Sequence, residues 1–263
     1  MPATTAANAD RIAALLGPGA GWRVRCLQAT GSTNADLVGL ARDGEPAGLV
    51  LVAEHQHAGR GRFDRAWQSP PGSSVSVSAL LRPRRPLRDW GWLSLLVGLA
   101  VADGIRSLGG GDRVSLKWPN DVLVDGRKIC GILSERVPTS AGDAAVCGWG
   151  INVSMSQDEL PVPHATSLLL AGLPTDKDEL LAAVLRRLGE LAGRWDAGED
   201  LSSEYAAGCA TVGRQVRVHL DEQSPDGPSV TGQAVGVGSN GEILVATGGR
   251  VREFAAGDVV HLR

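Results

Sequence analysis

Lysine is scarce in this chain: of its 26 basic residues only Lys117, Lys128 and Lys177 are lysines, the rest being arginine. A coding bias toward arginine would explain this; so would a need for compact ammonium charges that an arginine fork cannot replace. A surplus of cations is missing too. The formal charge of −3 and the pI near 6.0 argue against the broad basic face of a general nucleic-acid or membrane-surface binder, so any anion site has to be local. The four cysteines, Cys26, Cys130, Cys147 and Cys209, form no C-x-x-C pair. No charged-then-apolar leader opens the chain, so a reduced cytoplasmic protein is expected. Long apolar runs are absent as well. The stretch from Trp90 to Ala102 contains Gly91, Ser94 and Gly98 and falls short of the roughly 20 residues a membrane span requires. It reads as a core helix, with no membrane partner expected.

Common catalytic and phosphate motifs also fail. In "GRGRFD", Asp64 stands where the third glycine of G-x-G-x-x-G belongs, and the run that follows alternates like a strand. No Rossmann cofactor is expected, nor any other tightly bound redox cofactor. "GRKICGIL" from Gly126 lacks the Lys and Ser/Thr that complete a P-loop. His55 and His57 have no nearby cysteine and no H-E-x-x-H context, which leaves zinc unsupported. "GSTNAD" is no nucleophile elbow; it has the composition of a helix N-cap, with spare polar groups for a small ligand.

What is present is enough apolar sequence, 43% of 263 residues, for one large domain or a large and a small one. Met1 to Asp10 reads as frayed. "NADRIAALL" fits a short amphipathic helix, "WRVRCLQ" a strand, and Thr33 to Arg42 a capped helix. "GLVLVAEH" is a continuous apolar strand, and "SSVSVSALLRP" places Val75, Val77, Ala79 and Leu81 on one face. A long helix is expected from Leu87 to Ser107, then two or three antiparallel strands with turns at Pro119-Asn120 and Asp125-Gly126. A strand through "AAVCGWGINVSM" and a helix from Lys177 to Trp195 follow. From Thr211 onward short β runs broken by Gly, Asn and Asp predict a small barrel, so the domains are set at 1–210 and 211–263.

Between the second and third strands lies a loop, Gln56 to Gly72, too long for a hairpin turn. It holds Arg60, Arg62 and Arg65 with alternating glycines, while Lys117 and Lys128 flank the later turns. A solvated loop is one reading. An anion clamp is the other, because glycine lets backbone approach a ligand and arginine offers planar forks to carboxylate and phosphate.

Together "GSTN" (Gly31 to Asn34), "EHQHAGRGRFDRAW" (Glu54 to Trp67), "KWPND" (Lys117 to Asp121), "GRKICGIL" (Gly126 to Leu133) and "GWGINV" (Gly148 to Val153) resemble the biotin protein ligases in order and spacing. The resemblance covers most of Trp22 to Val153. It implies an α+β fold, a mixed and mainly antiparallel sheet flanked by helices like that of class II aminoacyl-tRNA synthetases, with a small C-terminal Src-homology-type β-barrel. It also implies two steps: biotin and ATP give biotinyl-5'-AMP and pyrophosphate, and biotin then passes to a lysine of the biotin carboxyl carrier domain of a carboxylase. By position, Ser32, Thr33, Asn34, Gln56, Gly59, Arg60, Gly61, Arg62, Lys128, Gly131 and Leu133 would bind biotin. Arg62, Trp67, Lys117, Asn120, Lys128 and Asn152 would bind ATP, and Asp121 would meet its Mg2+. Lys128 leads the catalytic set, with Arg60, Arg62 and Lys117.

Two departures shape the expectation. Ala66 replaces the basic residue that often precedes the tryptophan, giving a less cationic clamp, and some thirty residues precede "GSTN", too few for a winged-helix domain. DNA binding is therefore not expected. A lipoate or octanoate ligase or transferase of the same fold family and a nucleotide-responsive regulator remain as other readings.

Overall fold

The computed structural model describes residues 5–220 and 227–262. Among the described residues there are five α-helices and twelve strands, the strands forming two sheets. In chain order the first part runs α1 (Ala9–Leu16), β1 (Arg23–Leu27), α2 (Thr33–Arg42), β2 (Leu49–Ala53), β3 (Ser74–Leu81), α3 (Trp92–Ile105), β4 (Val114–Lys117) and β5 (Asp121–Val124). It continues through β6 (Arg127–Thr139), β7 (Gly142–Asn152), α4 (Lys177–Asp196) and α5 (Ser202–Ala207). These seven strands make one sheet in the order β1-β2-β3-β7-β6-β5-β4. Only β1 and β2 run parallel, so the sheet is mixed and mainly antiparallel, as expected.

The alternation in β3 assigns the two faces. Val75, Val77 and Ala79 enter a large core with α3 and α4, joined by Val50 and Val52 of β2 and Cys147, Trp149 and Ile151 of β7. Twelve of the fourteen α3 residues are buried, which identifies this apolar stretch as a core helix between sheet and α4. The opposite face carries a smaller cluster under α2, of Leu37, Ala41, Leu49, Leu51, Leu80, Val137, Ala144 and Val146. That cluster covers one end of the face. Toward the other end the same rows turn to Ser74, Ser76 and Ser78 on β3 and Gly148 and Gly150 on β7.

The second sheet holds β8 (Gln215–His219), β9 (Ser229–Val237), β10 (Ile243–Thr247), β11 (Arg250–Phe254) and β12 (Asp258–His261), antiparallel in the order β11-β10-β9-β8-β12. It matches the predicted run of short strands. It is joined to the first part at buried hydrogen bonds: Trp118 Nε1 donates to the Gly241 carbonyl at 2.9 Å, and Trp92 Nε1 to the Ser239 carbonyl at 2.7 Å.

Three expectations change. The helix expected over Leu87 to Ser107 starts only at Trp92, because Pro86 opens a short 3-10 turn, Leu87–Asp89, before Gly91. The N-terminus is not frayed to Asp10: Asn8 caps α1, and the Ala7 and Asn8 amides donate to Glu54 and Asp178, both at 2.8 Å. The part of that expectation covering residues 1–4 lies outside the described residues. Helix α5 was not anticipated.

Candidate active site

The site is built on the sheet face that α2 leaves uncovered. Ser32 caps α2, and Ser32, Thr33 and Asn34 are all buried. They face the chain leaving β2, because the His57 and Ala58 amides donate to the carbonyls of Thr30 and Gly31, at 2.9 and 2.8 Å. Gln56 follows, its Oε1 accepting the Thr33 amide at 2.8 Å and the Thr33 hydroxyl at 3.1 Å, while its Nε2 donates to Ser76 Oγ at 3.1 Å. Ser78 Oγ donates to Asn34 Oδ1 at 2.6 Å and lies 2.8 Å from Thr33 Oγ1. Asn34 Nδ2 donates to the Leu133 carbonyl at 3.2 Å and to Glu135 at 2.7 Å. Thus the buried Ser32, Thr33 and Asn34 come together with the half-buried Gln56 and Leu133 as a polar network, a composition suited to a small polar ligand.

The arginine loop lies beside it. Gly61 N–H donates to the Arg65 carbonyl at 2.7 Å and Trp67 N–H to the Gly59 carbonyl at 2.9 Å, closing a tight turn. Glycine is required at 59 for closeness: a Cβ there would stand 2.6 Å from the Trp67 carbonyl oxygen and 3.0 Å from Gln56 Nε2. The unusual dihedral falls elsewhere, at Phe63 (φ 59°), and neither Gly59 nor Gly61 has positive φ. Arg60 reaches Glu135 at 3.1 Å, Arg62 reaches Asn120 Oδ1 and the Gly257 carbonyl, both at 3.4 Å, and Arg65 reaches Asp258 at 3.1 Å. The second sheet therefore touches the loop directly.

Trp67 ends the loop over the paired glycines Gly131 and Gly150. A Cβ on Gly150 would lie 2.4 Å from its ring, and the buried indole Nε1 has no hydrogen-bond partner among the described residues. Next to it Lys128 pairs with Asp121 at 2.5 Å, its Nζ standing 3.2 Å from the Cβ position of Gly131. Backbone bonds to His164 and Thr166, both 2.8 Å, fix Lys128 from its other side.

Asn120 Nδ2 donates to the Ile132 carbonyl at 2.9 Å. Asn152, at the end of β7, is 2% exposed; its Nδ2 donates to the Thr166 carbonyl at 2.9 Å, and its Oδ1 is an acceptor with no partner among the described residues. Lys117 sits opposite Asp121 in the β4–β5 ladder and makes no ion pair among the described residues. It stands on the side of His261, whose ring burial, with help from Lys117 and Arg214, pulls its pKa down to about 4. Three of the cysteines are poorly suited to act as nucleophiles: burial pushes Cys130 far up, Cys147 up to about 12 and Cys26 up to about 11.

Ser76, Ser78 and Glu135 belong to this site and were missed in the sequence. The signal for the serines was the even-numbered row of β3, opposite the apolar face of Val75, Val77 and Ala79; it is buried as well.

A family profile described as the biotin/lipoate A/B protein ligase family matches residues 28–152. The chain is 41% identical to the "Biotin--[acetyl-CoA-carboxylase] ligase" of Mycobacterium tuberculosis over 256 residues, 95% of this chain and 93% of that one. It is 31% identical to the "Bifunctional ligase/repressor BirA" of Escherichia coli, over 96% of this chain and 77% of that protein. The structure of an Aquifex aeolicus biotin protein ligase in complex with biotin and ATP superposes with a TM-score of 0.76 at 28% identity, over 91% of this chain and 98% of that one. At this identity and coverage, this chain belongs to the biotin protein ligase family.

Proposed function

We propose that this protein is a biotin protein ligase: it joins biotin to ATP as biotinyl-5'-AMP, releasing pyrophosphate, and then transfers biotin to a lysine of a biotin carboxyl carrier domain. The observation that carries the reading is the adjacency of the Thr33–Asn34–Gln56 network to a loop and strand bearing Arg60, Arg62 and Lys128. One end suits the polar head of biotin and the other suits charge.

The first step drives a carboxylate oxygen onto the α-phosphorus of a triphosphate, forming an O–P bond as the α–β phosphoanhydride breaks. Two unit anions about 4 Å apart repel by about 4 kcal/mol at an effective dielectric near 20. Fixed cations must offset this, and Lys128 is the best held: Asp121 and the backbone of His164 and Thr166 define its place. We assign it to the biotin carboxylate and the α-phosphate, where negative charge builds in the transition state. Arg60 and Arg62 grip the same anions from the loop, with the Gly59 and Gly61 backbone alongside. Gly131 and Leu133 form the floor.

Trp67, Asn120, Asn152 and Lys117 make the nucleotide side. The Trp67 Nε1 donor and the Asn152 Oδ1 acceptor, without partners among the described residues, are free to meet a ligand here. Among the described residues no cluster of three or more acidic, histidine or cysteine side chains is placed to hold a resident metal. Asp121, a single carboxylate already paired with Lys128, does not fit a dedicated metal cage. Magnesium would enter on the phosphates of ATP as part of the substrate.

In the second step the carrier lysine, as the free amine, attacks the acyl carbon, AMP leaves and the amine loses a proton. Residues 1–210 form the catalytic unit and 211–263 an appended barrel that contributes Gly257 and Asp258 to the arginine loop. Incubation with ATP, Mg2+, biotin and a carrier domain tests the reading: covalent biotin on one carrier lysine is expected, and an unmodified carrier would overturn it.

A further inference from the structure

Lys177 is the one lysine away from the site, and it is only 2% exposed. It is the first residue of α4, where a cation opposes the helix dipole. A buried ion pair is also often no more stabilising than apolar side chains of the same volume. Helix stability and packing therefore give no reason for a lysine here.

What it holds does. The Lys177 ammonium pairs with Glu54 and donates to the Gly72 carbonyl at 2.9 Å. Glu54 and Gly72 bracket the loop that carries Gln56, Arg60, Arg62 and Trp67, and the Gly72 amide donates to the Glu54 carbonyl at 3.2 Å. The other Glu54 oxygen accepts the Ala7 amide at 2.8 Å, so the carboxylate is fully engaged. Entry and exit of the loop are thus tied to one buried charge pair from a helix more than a hundred residues further on.

We propose that Lys177 and Glu54 are a positioning pair that fixes the neck of this loop, and through it the register of Gln56 against Thr33 and of Trp67 over Gly131. The inference rests on the biotin-activating reading above. Without the pair the ends of the loop keep one backbone bond, and fewer molecules hold the loop in its binding register. Apparent affinity falls by that same fraction.

The test compares the native chain with the double variant Glu54→Gln/Lys177→Met and the single variant Lys177→Gln. Three quantities are read: KM for biotin in adenylate formation, the release rate of preformed biotinyl-AMP, and the thermal midpoint. The double variant is expected to keep its midpoint within about 4 °C of the native chain. Its KM and release rate should both rise about tenfold, with kcat changed less. Native KM and release in a folded double variant would overturn the proposal, because a purely structural pair moves only the midpoint. If the double variant does not fold, Lys177→Gln, which keeps a donor for Gly72, is read the same way: release at least about threefold faster supports the proposal and native release overturns it. A native chain that makes no adenylate overturns the functional reading and the pair with it. A native chain that makes adenylate, beside a double variant that holds it equally long, overturns the pair alone.

Discussion

Lys128 and Asp121 meet at 2.5 Å across a bulge, where Cys130 pairs with Val122 but Lys128 pairs with Leu123, leaving Ile129 as the extra residue. A bulge re-aims the side chain beside it, and here it lays the ammonium over Gly131. Lys128→Ala is expected to slow adenylate synthesis by about two to three orders of magnitude, the cost of losing one preorganised charge-stabilising donor. Single-turnover formation of biotinyl-AMP measures this, and a near-native rate would remove Lys128 from the chemistry.

Gly148 and Gly150 predict contrasting results. A Cβ at Gly148 would lie 2.0 Å from Asn34 Oδ1, inside a buried network that cannot yield. Gly148→Ala should cost about 1–3 kcal/mol of stability and weaken biotin binding. At Gly150 the obstacle is the ring of Trp67, the far end of one side chain with no hydrogen bond on its indole Nε1 among the described residues. Gly150→Ala should therefore spare stability and change the environment of Trp67. Denaturant unfolding with calorimetric biotin titration separates the two, and equal stability losses would contradict the distinction.

Those glycines also mark what the sequence hid. The "GRGR", "KWPND" and "GWGINV" strings fall together in the candidate site, and the alternation of β3 and the turn at Asp125-Gly126 marked its sheet. Residues that act through distant partners were not legible. Glu135 gains meaning only because Asn34 and Arg60 converge on it, from 101 and 75 positions away. Ser76 and Ser78 are buried and bonded to Gln56, Thr33 and Asn34, which come from the exit of β2 and the start of α2 and which no local pattern in β3 encodes. The alternating glycines were expected to let backbone approach a ligand; Gly59 makes its close approach to the Trp67 carbonyl and Gln56, and the left-handed turn falls on Phe63.

His261 predicts a pH dependence of stability. Burial first, then Lys117 and Arg214, lower its pKa from 6.5 to about 4, so the folded ring stays neutral where the unfolded one takes a proton. Its contribution is intact above pH 6.5 and is lost as pH falls from there toward 4. Discounted for its partial exposure, this amounts to on the order of 1 kcal/mol between about pH 7 and 5. His261→Asn should flatten that part of the profile in urea unfolding at the two pH values, and an unchanged difference would contradict the assignment.

The Arg65–Asp258 pair, with side chains 66% and 36% exposed, should matter little to stability. Exposed ion pairs contribute about 0–1 kcal/mol, so Asp258→Ala should lower the thermal midpoint by no more than about 4 °C. A larger drop in a thermal melt would mean that the second sheet is held to the arginine loop more tightly than this geometry implies.

In the proposed function the polar network selects biotin and the adjoining cations join it to AMP. Acyl-adenylate formation with ATP, Mg2+ and either biotin or lipoate tests this most directly. Biotinyl-AMP with stoichiometric pyrophosphate, and no adenylate from lipoate, is the predicted result; adenylate from lipoate alone, or from neither acid, would contradict it.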